Sequence, residues 1–427
     1  MSPIEDHPLR YRLANELHAR PFPELDVPSQ AVFIAIKEPV DAANRDRTAD
    51  RAHLLDLLAR FGGTQPQPEA THFAGPMGRH LLTWESHSEF VTYSGFAPGL
   101  PGRPFDPAMA AVFPEDWLSR APGKRLVSLL IHIEEMPEDE AEITARLESW
   151  FVPESLASSR VVDEVAVVAC DFRIDAAGHM RMAVFVKPGT GARRVGRIVQ
   201  RLCEIETYRA MSMLGLIRSQ ILTQQLNKLD PKLSALVNTI DGDARSPEDT
   251  LHELLAISAE LESLAVQFSF RFGATAAYEA IMNQRIEVLR EVRINGRQTF
   301  GEFMMRRYEP AMRTVKSAEG RLQSLAERAQ RAAELLRTRV DVDRSAQNQK
   351  LLESMDRRAD LALRLQHTVE GLSVVAISYY AVSLAAYAVY PVTEPFGISK
   401  GLATAVLTPL VVLAVWITVR RIRNRVD

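Results

Sequence analysis

The sequence predicts an α+β domain followed by long helices and a C-terminal hairpin of two transmembrane helices. Three observations support this fold class. Strand-like segments alternate with short helical ones up to about residue 190, only helical spacing follows from about residue 192, and two charge-free segments stand close to the C-terminus. We therefore expect four regions: a mixed α/β domain at 1–190, a long-helix and stalk region at 191–369, a transmembrane hairpin at 370–419 and a basic tail at 420–427.

The composition is that of a folded protein and argues against several classes. The chain has 427 residues, of which 46% are hydrophobic and 25% charged, so it can bury a core in two or three units. A net charge of -3 gives no overall attraction for nucleic acid. The two cysteines, Cys170 and Cys203, indicate buried thiols in a reducing compartment. The acidic segment Met1–Leu9 has no apolar run, so we expect no cleavable signal peptide.

Strands and short helices are both predicted in the N-terminal region. Apolar or alternating patterns predict strands at Ala31–Ile36, Arg125–Met136 and His80–Phe96, the last as one or two strands. A turn at Ala176–Gly178 predicts a hairpin between Glu164–Asp175 and His179–Gly189. Helical spacing predicts helices at Ala42–Gly62 and Glu138–Phe151.

Long helices are predicted at Arg193–Leu229, at Pro247–Arg293 and from Gln298 onward, with a turn at Ile294–Arg297. The third helix carries an apolar heptad stripe: Val315, Ala318, Leu322, Leu325, Ala329, Ala332 and Leu336. Such a stripe is typical of a coiled coil and equally of a helix packed against another helix of the same chain. The polar segment Asp341–Gln349 is expected to be a kink, a hairpin turn or an exposed stretch of a long helix.

The predicted membrane hairpin consists of Gly371–Tyr390 and Gly401–Val419, which contain no charged residue. About 20 such residues in a helix cross the roughly 30 Å hydrocarbon core of a bilayer. The tail after the second segment is basic, with Arg420, Arg421, Arg423 and Arg425, and arginines also precede the first segment. Because excess Lys and Arg mark the cytoplasmic side, we expect a cytoplasmic α+β domain and two cytoplasmic termini.

The first apolar segment carries a polar stripe that continues the heptad phase from Met355. The stripe residues within the predicted membrane segment include Ser373, Tyr380, Ser383, Tyr387 and Tyr390. Small and hydroxyl-bearing residues allow close packing of helices in an oligomer, or they line a watery path. Both interpretations remain open, and these five residues are the pore-lining candidates. In the predicted outer loop, Glu394 is a candidate for attracting cations, although a single loop acid is equally a solvated one.

The chain has no strong catalytic motif, so we expect no enzyme. The P-loop, H-E-x-x-H and G-x-S-x-G patterns are all missing from the sequence. A weaker pattern is Glu85, His87 and Glu89, which would share one face if they lay on a single strand. Two carboxylates and an imidazole can bind a divalent cation, the only cofactor for which the sequence offers a candidate. A solvated strand face has the same pattern.

Two further segments could carry a site or a purely structural feature. Gly189–Gly196 stands between a strand and a long helix, where backbone N–H groups can bind an anion, but its spacing departs from G-x-G-x-x-G and also fits a plain turn. Glu16–Pro21 brings Glu, His and Arg together near the N-terminus, either as a functional cluster or as a segment docked on the domain.

Several segments resemble a bacterial family of uncharacterised, membrane-anchored proteins across the whole chain. They are His7–Arg10, Glu16–Pro21, Trp84–Phe90 and Glu204–Arg209. This resemblance implies a multi-pass protein of the bacterial inner membrane. It supplies no activity and no catalytic residues that could be carried over to this chain.

The predicted architecture is similar to that of CorA-type magnesium transporters, which are pentameric channels whose first transmembrane helix lines the pore. The resemblance implies a homo-oligomer and assigns Ser373, Tyr380, Ser383 and Tyr387 to the pore. The Gly-Met-Asn signature of those transporters is missing, because the chain reads Tyr387-Ala388-Val389-Tyr390-Pro391 at that place. We expect a cation channel or transporter. The alternative is a membrane-anchored cytoplasmic scaffold or sensor without transport.

Overall fold

The computed structural model describes residues 4–16, 22–68, 70–240, 246–393 and 399–426. Its largest feature is a nine-stranded sheet with the strand order β2-β3-β4-β1-β5-β8-β7-β6-β9. The strands are β1 (Ser29–Lys37), β2 (His72–Met77), β3 (His80–Ser86), β4 (Phe90–Pro98), β5 (Lys124–Glu135), β6 (Ala157–Val161), β7 (Ala166–Ile174), β8 (Met180–Val186) and β9 (Val292–Arg293).

The sheet is antiparallel at every neighbouring pair except β5 and β8, which run parallel. The predicted hairpin of β7 and β8 is confirmed. His80–Phe96 forms two strands, β3 and β4, that pair with each other. The strands β2, β6 and β9 were not predicted from the sequence, and β9 lies within the range predicted as the helix Pro247–Arg293, which ends at Glu287. Strand β2 contains Gly75 and Pro76 and lies at the sheet edge, where a strand tolerates proline, and β6 is a short strand with two buried serines.

The helices are α1 (Arg10–Glu16), α2 (Arg47–Arg60), α3 (Glu115–Ser119), α4 (Glu140–Trp150), α5 (Ala192–Thr239), α6 (Pro247–Glu287), α7 (Phe300–Arg307), α8 (Glu309–Thr393) and α9 (Lys400–Val426). Short polar side chains begin several of them. Asp46 and Asp139 each accept a hydrogen bond of 2.8 Å from the backbone N–H two residues later. Thr299 and Glu302 form a capping box at the start of α7.

Both faces of the sheet are buried. Trp84 and Tyr93 belong to a core that also contains Trp117 of α3 and side chains of α2. The opposite face presents Phe33 and Thr92 toward α5. Because β1 is covered on both faces, its sequence is almost continuously apolar rather than alternating.

The helices α5, α6 and α8 pack together through apolar rows. All seven predicted heptad residues of the third helix are buried within the chain. The Tyr308 hydroxyl donates to Ser212 Oγ of α5 at 2.7 Å. Asp230 of α5 accepts hydrogen bonds from Arg321 and Arg328 of α8 at 3.0 and 2.9 Å. Packing inside one chain therefore accounts for this stripe, and no coiled coil between chains is required.

The chain divides into two compact units. One comprises Met1–Gly242 and His252–Ala332, and the other comprises Asp243–Leu251 and Ala333–Asp427. The units cut across the four predicted regions, since α5 packs against the sheet and against other long helices. In the second unit, Asp341–Gln349 is an exposed stretch of α8, which is one of the three forms expected for it.

Two helices are long and apolar enough to cross a membrane by length and composition. An 18-residue window of α8 has a mean hydropathy of 1.8, and one of α9 has a mean hydropathy of 2.3. Only 6% and 0% of these windows are buried inside the protein. A core helix of a globular domain would be mostly buried, so both helices are candidate membrane spans.

A close approach of two backbone segments requires glycine at position 196. A Cβ atom on Gly196 would lie 1.7 Å from the carbonyl oxygen of Pro23, because residues 23–25 run along the first turns of α5. The backbone N–H of Leu25 donates to the carbonyl oxygen of Ala192 at 3.2 Å in the same place. The N-terminal segment is thus held against α5 at van der Waals distance.

We expect Gly196→Ala to lower the free energy of unfolding by about 2–4 kcal/mol, since either Pro23 or the helix must shift. Thermal unfolding of the full chain in detergent would measure this. Gly320→Ala is the matched control, because Gly320 lies inside α8 with no neighbouring atom within 4 Å of its added Cβ. This control should keep or raise the stability, by up to about 1 kcal/mol. A Gly196→Ala protein as stable as the wild type would contradict the close approach.

Candidate functional site

The five predicted pore-lining residues lie on the last third of α8. Tyr380 and Tyr387 are 68% and 72% exposed. Ser373 is also exposed, and Ser383 and Tyr390 are half-buried. The protein itself therefore covers little of this stripe.

A second row of covered positions on α8 adjoins the stripe. On α8 the covered positions include Val374, Ser378, Ala381, Ala385 and Val389, at steps of three and four. On α9 the half-buried positions Ala403, Leu407, Val411, Val415 and Val419 recur every four residues. Since positions three or four apart share a helix face, each helix has one partly covered row. Of the tyrosine stripe of α8, Ser373, Tyr380 and Tyr387 are exposed.

The serine hydroxyls of the stripe bond to their own helix. Ser373 Oγ donates to the carbonyl oxygen of Val369 at 2.8 Å, and Ser383 Oγ donates to that of Tyr379 at 3.0 Å. A hydroxyl that donates in this way keeps its acceptor lone pairs. The two serines can therefore offer oxygen atoms to a cation without leaving a donor unsatisfied.

The positively charged side chain of Lys400 lies at the end of the stripe. The Lys400 Nζ atom is 5.6 Å from the ring centre of Tyr387 and 5.2 Å from that of Tyr390. Ammonium groups at this distance are attracted to the electron-rich faces of aromatic rings. Glu394, the predicted attractor of cations, lies outside the described residues.

The second predicted group, Glu85, His87 and Glu89, does not share one strand face. The strand β3 ends at Ser86, and the chain reverses before β4 begins, with the His87 N–H donating to the Phe90 carbonyl at 2.9 Å. Glu85 Oε2 stays near His87 Nε2, at 3.4 Å. The Glu89 carboxylate instead contacts residues of β1 and α6, as described next. Across the described ranges, no three His, Cys, Asp or Glu side chains form a group that could hold a metal ion.

Glu89 is the centre of a buried ionic cluster. Its side chain is 1% exposed. Lys37 Nζ of β1 lies 3.2 Å from Glu89 Oε2, the Tyr278 hydroxyl of α6 donates to Oε1 at 3.0 Å, and Arg271 of α6 donates to Oε2. The cluster thus ties the β3–β4 turn and β1 to α6.

The cluster contains one carboxylate and two positively charged side chains. Burial alone would raise the pKa of Glu89, but the hydrogen bond and charge of Arg271, helped by Lys37 and Tyr278, hold that pKa below its ordinary value. Burial, together with the charges of Arg271 and Arg45, lowers the pKa of Lys37 despite the attraction of Glu89. One carboxylate therefore serves two cations, which repel each other.

A small cavity of about 40 Å³ lies between the sheet and α5. Glu85 and His87 border it from the sheet, and Gln200, Glu204 and Tyr208 border it from the helix. This volume holds a few water molecules rather than a large ligand. The three helix residues were not predicted as a site. They recur every four positions on a helix face that also carries buried apolar residues, and this spacing could have identified them in the sequence.

The remaining two segments are assigned only in part. Gly191 is the N-cap of α5, as expected of a turn and helix start, and Arg193 and Arg194 pair with Glu24 and Asp163 at 2.7 and 3.1 Å. In the N-terminal motif, Leu17–Pro21 lies outside the described residues.

We expect Glu89→Gln to lower the free energy of unfolding by about 3–5 kcal/mol at pH 7, because Lys37 and Arg271 then stay buried without a carboxylate. Chemical unfolding would measure the loss. Glu154→Gln is the control, since Glu154 is exposed and should change stability by less than about 0.5 kcal/mol.

The same pair of proteins tests the ionisation of Glu89. Because its pKa is lowered on folding, its contribution is present above the unfolded pKa of about 4.3 and is lost as the pH falls through the folded pKa. The stability gap between wild type and Glu89→Gln should narrow below about pH 4.3. A gap that stays constant down to pH 2 would mean that Glu89 is not the anion of the cluster.

The comparison with protein families gives a match over nearly the whole chain. The family model described as "Protein of unknown function (DUF3422)" matches residues 5–426. This range includes every strand and helix given above, the two candidate membrane spans among them. No curated protein matches the chain.

Proposed function

We propose that this protein, which belongs to the DUF3422 family, is a homo-oligomeric membrane protein of CorA-like architecture that conducts or transports a cation along α8. The observation that carries the proposal is the difference in exposure between two rows of side chains on α8. One row of α8 is covered, and Ser373, Tyr380 and Tyr387 of the hydroxyl-bearing stripe are exposed. In an oligomer, equivalent stripes from several copies would face a common axis.

The proposed membrane arrangement follows from charge. The ends of α8 and α9 join through a short segment, and arginines cluster at the far end of α9. Arg420 also lies over the ring of Trp416, with 4.9 Å from its guanidinium carbon to the ring centre, as expected of residues at a membrane interface. We place both termini in the cytoplasm of a bacterium and the two spans in its inner membrane.

The side chains of the stripe indicate how strongly a cation would be bound there. Serine and tyrosine offer neutral oxygen atoms, and the tyrosine rings add electron-rich faces. A path lined by neutral oxygens stabilises a cation through dipoles rather than fixed charge, and such binding is weak enough to release it. The charge-free stripe therefore fits passage of a cation better than its tight storage.

Association is the first requirement, because a single two-helix hairpin cannot enclose a path. We expect the full chain in mild detergent to have a mass, by light scattering, of several copies of the 47.7 kDa chain. A strictly monomeric particle in both detergent and lipid nanodiscs would exclude the pore and leave a membrane-anchored scaffold or sensor.

Transport is tested by substitutions that spare assembly. We expect Tyr380→Leu with Ser383→Leu to reduce Mg²⁺ or K⁺ influx into proteoliposomes by about tenfold or more, since the barrier rises by over 1.4 kcal/mol once the oxygens are gone. Tyr379→Leu is the matched control, because Tyr379 is an equally exposed neighbour outside the stripe. Equal flux in all three proteins, with unchanged oligomer mass, would contradict a path along this face.

A further inference from the structure

A groove rich in arginine lies on the first half of α5, away from the cavity and the ionic cluster described above. Arg194, Arg197, Arg201 and Arg290 line it, and we call it the arginine groove. Its volume is about 620 Å³, within the range of small-molecule sites in proteins. Its other lining residues are Val162, Ile198, Val288 and Glu287. The groove thus combines four guanidinium groups with apolar side chains and a single lining carboxylate.

The spacing on α5 places three of the cations together. Arg194, Arg197 and Arg201 follow each other at steps of three and four, so they share one face of the helix. Arg290 joins them from the turn after α6. Burial, followed by the charges of Arg197 and Arg285, lowers the pKa of Arg201. Positive charge is therefore crowded here, and a bound anion would relieve the repulsion.

Carboxylates within the protein compensate these charges only partly. Asp163 pairs with Arg194 at 3.1 Å and with Arg290 at 2.7 Å. Arg201 donates to the carbonyl oxygen of Val288 at 3.3 Å. For Arg197 and Arg201, no salt-bridge partner is found among the residues that the structure describes. The Arg197 guanidinium carbon lies 6.0 Å from the ring centre of Phe22, and the remaining N–H donors of Arg197 and Arg201 are available to a ligand.

The backbone around the groove is held in an uncommon conformation. Val162, Asp163 and Arg290 have positive φ angles of 53°, 60° and 51°. Non-glycine residues rarely adopt this left-handed region, and a β-branched valine does so least readily. Residues in such conformations tend to cluster at functional sites, where the surroundings impose them. The strain is localised at the residues that position Asp163 between two arginines.

We propose that the arginine groove binds a small molecule that carries at least two phosphate groups, in competition with Asp163. Guanidinium groups bind phosphate through paired N–H donors of matching geometry, which explains arginine rather than lysine at all four positions. Val288, which is half-buried, provides an apolar contact for the rest of the ligand. The side chain of Asp163 occupies the position of one phosphate until the ligand displaces it from Arg194 and Arg290.

Inorganic pyrophosphate is the probe for this proposal, titrated by calorimetry into the detergent-solubilised full chain. We expect saturable binding that weakens about a hundredfold in Arg197→Ala with Arg201→Ala, since each of the two charged hydrogen bonds lost costs about tenfold. Arg313→Ala is the control, because Arg313 lies on α8 in an exposed pair with Glu309 and should not change the affinity. Thermal unfolding of each variant would verify that it is folded.

Asp163→Asn is expected to raise the affinity for pyrophosphate rather than lower it. Asparagine tolerates the left-handed backbone at this position and removes the competing charge, so pyrophosphate should bind several-fold more tightly. Binding that is no tighter, or wild-type binding that is not saturable, or equal affinity in the double arginine variant, would overturn the proposal.

The same phosphate chemistry could come from a soluble metabolite or a lipid headgroup. Competition against pyrophosphate by ATP and by water-soluble dihexanoyl phosphatidic acid distinguishes these sources. Stronger competition by ATP identifies a soluble polyphosphate, as proposed. Stronger competition by the lipid would overturn the requirement for two phosphate groups.

Discussion

The burial of one side of α5 is the constraint on which most of this structure depends. In its first half, residues such as Val195 and Leu202 are fully buried in the part of the helix that packs on the sheet. In its second half, leucines such as Leu222 and Leu229 are buried where the helix meets α6 and α8. A single helix of 48 residues thus contributes to two cores. The small cavity and the arginine groove are both found along it, so its position determines which charged groups meet.

The sequence predicted the parts of the fold that are encoded by short-range periodicity. The heptad row from Val315 to Leu336, the hairpin of β7 and β8 and the break near Ile294 all follow from spacing or turn residues that a single segment contains. The edge strand β2 was missed because Gly75 and Pro76 argue against a strand unless its position at the edge is already known. Local pattern does not reveal where a strand lies in the sheet.

The candidate sites were less predictable, because their residues come from distant segments. Glu89 was grouped with Glu85 and His87 on the assumption of one continuous strand, although its partners Lys37, Arg271 and Tyr278 come from β1 and α6. Arg290 enters the arginine groove from a turn almost a hundred positions after Arg194. The polar stripe of α8 is the exception. It lies on one helix, so its spacing alone identified it.

Buried or apolar surroundings are reconciled with polar groups differently around the sheet and on the apolar helices. In the unit that contains the sheet, buried carboxylates such as Glu89 and Glu279 have partners supplied by other elements. On the stripe of α8, the hydroxyls of Ser373 and Ser383 are satisfied by the backbone of their own helix. A helix that satisfies its own polar groups can face lipid, water or another copy with little rearrangement. The proposed association of several copies depends on this self-sufficiency.

The ionic cluster around Glu89 also has a consequence for the order of folding during synthesis. Glu89 and Arg271 are 182 positions apart in the chain. At a synthesis rate of about 5–20 residues per second, roughly ten to forty seconds separate their appearance from the ribosome. During that interval the β3–β4 turn lacks its main counter-ion, and a carboxylate avoids burial without one. Lys37 of β1 has by then been made, so Glu89 has one cation from the start, and the complete buried cluster forms only after α6 has been made.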